Sequence, residues 1–135
     1  DSLVRRLDTV DRVWVTGGNA FLLRRAMRQS GFDDCLLARK HDDSLVYGGY
    51  SAGICVAGTS LRGLHLVDDA NATAEGYSSG TLWDGLRLVP YCLAPHYKSD
   101  HPESSRIEHV VQFFTRNEIP FVALQDGEVL IEDAS

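Results

Sequence analysis

Apolar positions along this chain recur in two rhythms, and the rhythm changes about every ten to fifteen residues. From Asp1 to Asp11, Leu3, Val4, Leu7 and Val10 fall at helical spacing. Arg12-Val13-Trp14-Val15-Thr16 is a β-branched run and predicts a short strand. Ala20 to Gly31 predicts an amphipathic helix with Leu22, Leu23, Ala26 and Met27 on or near one face, closed by Gly31 as C-cap. Asp33 to His41 predicts a further short helix, Leu45 to Gly48 a second strand, and a helix begins at Ser51. Between Leu61 and Leu88 the pattern breaks at Gly63, Gly76, Gly80 and Gly85, which predicts short strands and loops. Leu88 to Ala94 predicts a third substantial strand. Ser104 to Asn117 is a helix carrying Ile107, Val110, Val111 and Phe114 at i, i+3, i+4 and i+7. Pro120 to Leu124 predicts a fourth strand and Glu128 to Glu132 a fifth, after the turn Gln125-Asp126-Gly127.

Strands alternating with helices imply an α/β domain with a largely parallel sheet. Sites in such sheets lie beyond the carboxyl ends of the strands. Gly17-Gly18-Asn19, Ser51, His96 and Asp126 each fall just past a predicted strand end, on one expected edge. Trp14 is expected in the core, whereas Tyr50, Tyr77 and Trp83 are open between core and pocket.

At 135 residues the chain is one domain with a real core and is too short for two. The chain begins at Asp1, already inside a helical pattern, so it is expected to lack the N-terminal part of its domain. A net charge of −6 argues against a nucleic-acid partner, which needs clustered Lys and Arg. No apolar run approaches the roughly 20 residues of a membrane span, and no signal peptide is visible, so a cytoplasmic location is expected. Cys35, Cys55 and Cys92 lack C-x-x-C spacing and read as free, mostly buried thiols in a reducing compartment. A homodimer is compatible with the sequence.

The chemistry concentrates at Gly49-Tyr50-Ser51-Ala52-Gly53, a G-x-S-x-G run directly after a strand pattern. A strand–turn–helix of this kind makes a nucleophile elbow: small flanking residues allow a sharp turn that exposes one serine hydroxyl. The Ala52 N–H is then placed to hold an oxyanion, aided by the helix N-terminus. The bland alternative is a Gly/Ser turn between strand and helix. A serine nucleophile needs a base, and of the five histidines His96 is best placed, after a buried-looking strand and behind Pro95. Its alternative is a strand-end histidine capping carbonyls. His101, in a polar loop, and His109, on a helix, read as solvated; His41 and His65 carry no evident constraint. Asp126 is the first choice to orient the imidazole, with Asp68 and Asp69 as competitors.

Val15-Thr16-Gly17-Gly18-Asn19-Ala20-Phe21-Leu22-Leu23 is similar to the strand–Gly-Gly-Asn–helix motif of the peptidase E group of serine peptidases, relatives of cyanophycinase. Tyr50-Ser51-Ala52-Gly53 resembles their nucleophile turn, Leu93-Ala94-Pro95-His96-Tyr97 their Asn-Pro-His-Phe segment, and Ala123-Leu124-Gln125-Asp126-Gly127 their Leu-Pro-Glu-Gly segment. The four motifs fit in order and spacing and cover most of the chain. The resemblance implies a three-layer sandwich around a largely parallel sheet, like the class I glutamine amidotransferase domain. It implies Ser51 as nucleophile, His96 as base and Asp126 as orienting acid, with the N–H groups of Ala52 and of Gly18 or its neighbour as oxyanion donors. Asn19, Tyr97, Glu103 and Arg106 are the residues it points to for substrate binding. The activity implied is hydrolysis of short peptides, dipeptidase-like, with no cofactor and no metal.

Two departures from that pattern matter. The acid is aspartate where glutamate is common, so either the backbone sits closer or another carboxylate such as Asp69 does the work. In the aspartyl dipeptidases of the group an Arg-x-x-Arg pair follows the histidine loop; here Arg106 matches the second arginine, but Glu103 stands at the first. A carboxylate there opposes an acidic substrate. Other readings are weaker. A thiol enzyme would carry cysteine at the elbow, whereas Cys55 lies a helical turn beyond it. A metal site from His96, Asp100, His101, Asp68 and Asp69 lacks helical i, i+4 spacing. A binding module with the pocket kept and the chemistry lost is the runner-up, alongside a hydrolase of a non-peptide amide. An α/β-hydrolase proper would order serine, acid, histidine.

Overall fold

A computed structural model describes residues 2–39, 44–77 and 80–132. Helix α1 (Ser2–Leu7) leads into strand β1 (Arg12–Val15), which is followed by α2 (Ala20–Ser30) and α3 (Phe32–Ala38). Strand β2 (Val46–Gly49) turns into the short helix α4 (Ala52–Cys55). After a long irregular stretch come β3 (Cys92–Ala94), α5 (Ser104–Arg116) and β4 (Phe121–Ala123). The predicted helix over Asp33 to His41 is shorter: it ends at Ala38 with Arg39 as its C-cap, and residues 40 and 41 lie outside the described residues.

Both strand pairings are parallel, as the βα alternation requires. β1 pairs with β2 in the register Val13↔Tyr47 and Val15↔Gly49, and β3 pairs with β4 through Leu93↔Val122. The expected single central sheet is not what forms among the described residues: the pairs are two separate two-stranded sheets. Helix α4 joins them, packing against β1, β2 and β3.

Helix α2 is capped by Asn19, whose backbone is extended and whose side-chain Oδ1 accepts the Phe21 and Leu22 N–H groups at 2.9 and 3.1 Å. It ends at Gly31, which takes the left-handed φ of 88° that the cap requires. Its buried face is rotated from the predicted one. Ala20, Phe21, Arg24, Arg25 and Met27 are buried, whereas Leu22, Leu23 and Ala26 are only half-buried. The two arginines are inside because each is saturated. Arg24 makes a bidentate pair with Asp33 and donates to the Asp84 carbonyl, and Arg25 donates to the carbonyls of Ala70, Ala72 and Gly80. Buried and bonded, they hold the backbone at Ala70, Ala72, Gly80 and Asp84 against α2.

The core is built from Phe21, Val56, Leu61, Ile107, Val110 and Phe114, each under 2% exposed. Ile107, Val110 and Phe114 are the buried stripe of α5, as their spacing predicts, while Val111 of the same predicted face is only half-buried. Among the described residues of 61–88 no strand forms: they hold a 3-10 turn at Leu64–Leu66, and Asp84 makes one antiparallel bridge back to Ser60. Pro90 lacks the N–H a ladder needs, and the third strand shortens to Cys92–Ala94. The predicted fifth strand does not form either. Val129 and Ile131 alternate outward at 80% and 84% exposure, with no strand beside them among the described residues. Trp14, expected in the core, is 66% exposed on the β1–β2 face, near Tyr50.

Candidate active site

All four strands deliver a motif residue at their carboxyl ends. β2 ends at Gly49, and the chain turns through Tyr50 and Ser51 into α4. Ser51 has φ 54° and ψ −122°, a conformation that side-chain-bearing residues avoid and that nucleophile elbows use. The turn closes because Gly49 and Gly53 have no Cβ. A methyl at either would overlap the Val15 carbonyl oxygen of β1, and at Gly53 it would also crowd the Thr16 carbonyl. The two glycines therefore let β1 pass directly under the serine. Gly17, just past β1, backs Ser51 so closely that a Cβ there would lie 3.2 Å from the serine Cβ. Gly18 follows with φ 134°, open only to glycine.

Within α4 the first bonds are Gly53 N–H to Tyr50 O at 3.0 Å and Ile54 N–H to Ser51 O at 3.1 Å. The Ala52 N–H is left outside the helix's own bonding. With four residues α4 has little macrodipole, so the expected help from a helix dipole reduces to individual N–H groups.

His96 follows β3 through the buried Pro95 and takes φ 63°. Its Nε2 lies 3.1 Å from Ser51 Oγ and its Nδ1 2.7 Å from Asp126 Oδ1. Asp126 is 47% exposed and the His96 side chain 12%. The competing carboxylates are spent elsewhere. Asp68 Oδ2 accepts the Ala20 N–H at 2.9 Å, and Asp69 Oδ1 accepts the Asn71 N–H. Desolvation raises the Asp68 carboxyl above its ordinary value; the Ala20 bond opposes this, Glu103 adds to it, and Arg106 lowers it.

The remaining predicted residues fall into two groups. Asn19 has both side-chain polar atoms engaged, Oδ1 on α2 and Nδ2 on the Asp69 carbonyl at 3.1 Å. Its side chain builds the loop frame that carries Gly17 and Gly18. Tyr97 anchors by its backbone, donating to the Leu124 carbonyl at 2.9 Å, and its ring is half-buried under Lys98. Glu103 and Arg106 remain at the head of α5, near Asp68.

His101, expected to be solvated, instead lies flat on His96, with ring centroids 3.7 Å apart and planes 7° from parallel. Ser99 Oγ accepts the Asp126 N–H at 2.8 Å. Ligand atoms of His96, His101 and Glu103 fall within 4.8 Å of one another. His96, however, commits both nitrogens to Ser51 and Asp126, and parallel stacked rings send their lone pairs side by side instead of to one point. The Cys55 thiol is fully buried, and burial pushes its pKa up, away from a reactive thiolate.

The model of peptidase family S51 matches residues 1–134. The chain belongs to peptidase family S51. Among its relatives, a peptidase E of Streptomyces coelicolor is 32% identical over 130 residues, covering 93% of this chain and 50% of that protein. A peptidase E of Haemophilus influenzae is 29% identical over 129 residues, covering 92% and 55%. The fold of the S51 chain is that of a crystal structure of a candidate peptidase E from Listeria monocytogenes. The TM-score is 0.71 at 23% identity, with 93% of this chain and 56% of that one covered. The S51 chain thus spans about half the length of the curated relatives it matches. Among the described residues no helix is long and apolar enough to cross a membrane.

Two neighbours of the S51 site escape a reading of the sequence, His101 and Ser99. Their placement depends on how the loop after His96 folds back, which no local pattern records. The one available signal is their nearness in sequence to His96 inside a turn-rich run.

Proposed function

We propose that this chain carries the catalytic residues of a serine peptidase acting on short peptides through an acyl-enzyme on Ser51. The observation that carries the reading is the hydrogen-bonded line Ser51 Oγ–His96 Nε2 and His96 Nδ1–Asp126 Oδ1, at 3.1 and 2.7 Å, set on a strained elbow. Ser51 Oγ attacks the peptide carbonyl carbon while His96 Nε2 takes its proton. The oxyanion is held by the N–H groups of Ala52 and of Gly18 or its neighbour. His96 returns the proton to the leaving amine as the C–N bond breaks. Water then adds to the acyl-enzyme, giving its proton to His96, and the Ser51 ester bond breaks as Oγ is reprotonated. Asp126 keeps the imidazole hydrogen on Nδ1 and balances the imidazolium formed in each step. No metal or cofactor enters these steps.

The two parallel strand pairs are read as parts of one class I glutamine amidotransferase-like sandwich, because both open their carboxyl ends onto the same three side chains. For the substrate, Glu103 and Asp68 beside the site disfavour an acidic side chain, in contrast to a candidate alpha-aspartyl dipeptidase of Drosophila melanogaster that is 29% identical over 120 residues. The test compares wild type and Ser51→Ala on X-Ala and X-Leu dipeptides, X including Asp, without added metal. Cleavage that falls by about 10⁴ or more in the variant is the expected result. No cleavage of any member by folded wild type would instead favour a binding module or a hydrolase of another amide.

A further inference from the structure

We propose that His101 is a positioning residue for His96, a flat platform that holds the imidazole in the line between Ser51 and Asp126. The inference rests on the catalytic reading of His96 above. Two hydrogen bonds, one at each ring nitrogen, fix an axis through the imidazole but leave its plane free to tilt about that axis. A face contact removes this freedom. His101 supplies one over the whole ring, at 3.7 Å between centroids and 7° from parallel.

A platform works only if it is itself held. His101 Nδ1 accepts the Glu103 N–H at 3.1 Å, and its carbonyl accepts the Ser104 N–H at 3.0 Å. Ser104 Oγ in turn accepts the Ser99 N–H, and Ser99 Oγ accepts the N–H of Asp126. The loop between β3 and α5 therefore ties the platform and the orienting acid into one unit, anchored on the first turn of α5. This also accounts for how His96 is kept at φ 63°, a conformation that persists only where its surroundings over-determine it. The ring covers one face of His96 as well. That limits water at the His96–Asp126 bond, whose acid partner is 47% exposed.

The experiment uses the full chain with His101→Ala, His101→Phe and His101→Leu, and Ser51→Ala as reference. It reads thermal melting, kcat and KM on the best dipeptide substrate, and the low-field proton NMR line of His96 Nδ1–H. The platform predicts that His101→Ala lowers kcat by roughly tenfold or more with KM near wild type, and that its Nδ1–H line is lost to solvent exchange. His101→Phe, flat but without nitrogens, restores most of both. His101→Leu fills volume without a flat face and stays impaired, which preserves the test should the alanine variant unfold. The proposal is overturned if His101→Ala keeps its kcat and its low-field line, or if phenylalanine and leucine behave alike. Failure of the parent reading looks different: Ser51→Ala would then match wild type in every assay, whatever the His101 variants do.

Discussion

The Tyr97 N–H donates to the Leu124 carbonyl at 2.9 Å, extending the β3–β4 pairing past the end of both strands. The Leu124 N–H reaches back to the Ala94 carbonyl at the same distance. These two bonds keep the chains after His96 and before Asp126 one strand-spacing apart. An aspartate, one methylene shorter than the glutamate common in the resembling segment, therefore spans to His96 Nδ1 at 2.7 Å.

Asp126→Asn keeps the shape of that contact and removes its charge. The amide presents either its oxygen or its NH₂ to Nδ1, and cannot balance an imidazolium. The expected loss in kcat is on the order of 10² to 10⁴ with folding intact. Asp69→Asn, whose carboxylate accepts the Asn71 N–H, should stay within a few-fold of wild type by the same estimate of what removing a remote group costs. Steady-state kinetics of the two variants side by side decides the matter; a silent Asp126→Asn with a crippled Asp69→Asn would reverse the assignment.

Ser51 sits at φ 54°, where a side chain costs roughly 1–3 kcal/mol. Glycine relieves that strain and loses only part of the gain to unfolded-chain entropy. Ser51→Gly should thus raise stability by about 1 kcal/mol while abolishing hydrolysis. Ser51→Ala, still strained, should not share the gain. Urea unfolding of the two variants reads the difference, and equal midpoints would show that the elbow stores no strain.

Gly53 is fixed by contact instead of conformation. A Cβ there would overlap the Val15 and Thr16 carbonyls, so Gly53→Ala must push α4 off β1. The cost should be on the order of 3 kcal/mol, with activity falling as the serine moves. A variant with wild-type melting and turnover would show that β1 yields easily.

The contrast between these residues explains what is legible in the sequence. Ser51, His96 and Asp126 each follow a β-rich run directly, so the rule that sites gather past strand ends locates all three. Gly31 as a cap and the α5 stripe are equally local signals. What fails depends on partners. The alternation at Val129 and Ile131 marks a two-faced segment but does not provide the strand it would pair with. Trp14 has a core composition but lies on a sheet face that no described element covers. Arg24 and Arg25 interrupt an apolar face and are nonetheless buried, because distant carbonyls and Asp33 saturate them.

Asp68 makes stability depend on pH in a direction opposite to most carboxylates. Desolvation, with Glu103, raises its folded-state value above 3.8, so the folded protein holds this proton more tightly than the unfolded chain. As pH rises from about 3.8 through the raised value, the unfolded state loses its proton first and stability falls. Asp68→Asn keeps an oxygen for the Ala20 N–H and never ionises. It should be more stable than wild type at neutral pH and lose that advantage below the ordinary carboxylate range. Urea midpoints of both proteins across this span test it; an advantage that persists undiminished in acid would assign the effect to packing.

Glu103 brings a carboxylate to the two stacked imidazoles. Its carboxylate has an oxygen within 4.8 Å of ring nitrogens on His96 and His101, and it acts together with Asp68. An acidic substrate side chain entering there meets Glu103 and Asp68 as like charges, offset in part by Arg106. At a separation of about 4 Å near a protein surface each such opposition is worth up to roughly 4 kcal/mol before screening. Glu103→Arg replaces one repulsion by an attraction and restores the two-arginine spacing with Arg106 on α5. It places a cation at the start of a helix, which costs about 0.3–1 kcal/mol of stability, so the useful quantity is a ratio and not a rate. The kcat/KM for Asp-Leu relative to Ala-Leu should rise by about tenfold or more in the variant, and the change should shrink as salt is added. An unchanged ratio would place the substrate side chain away from the head of α5 and free Glu103 of any part in specificity.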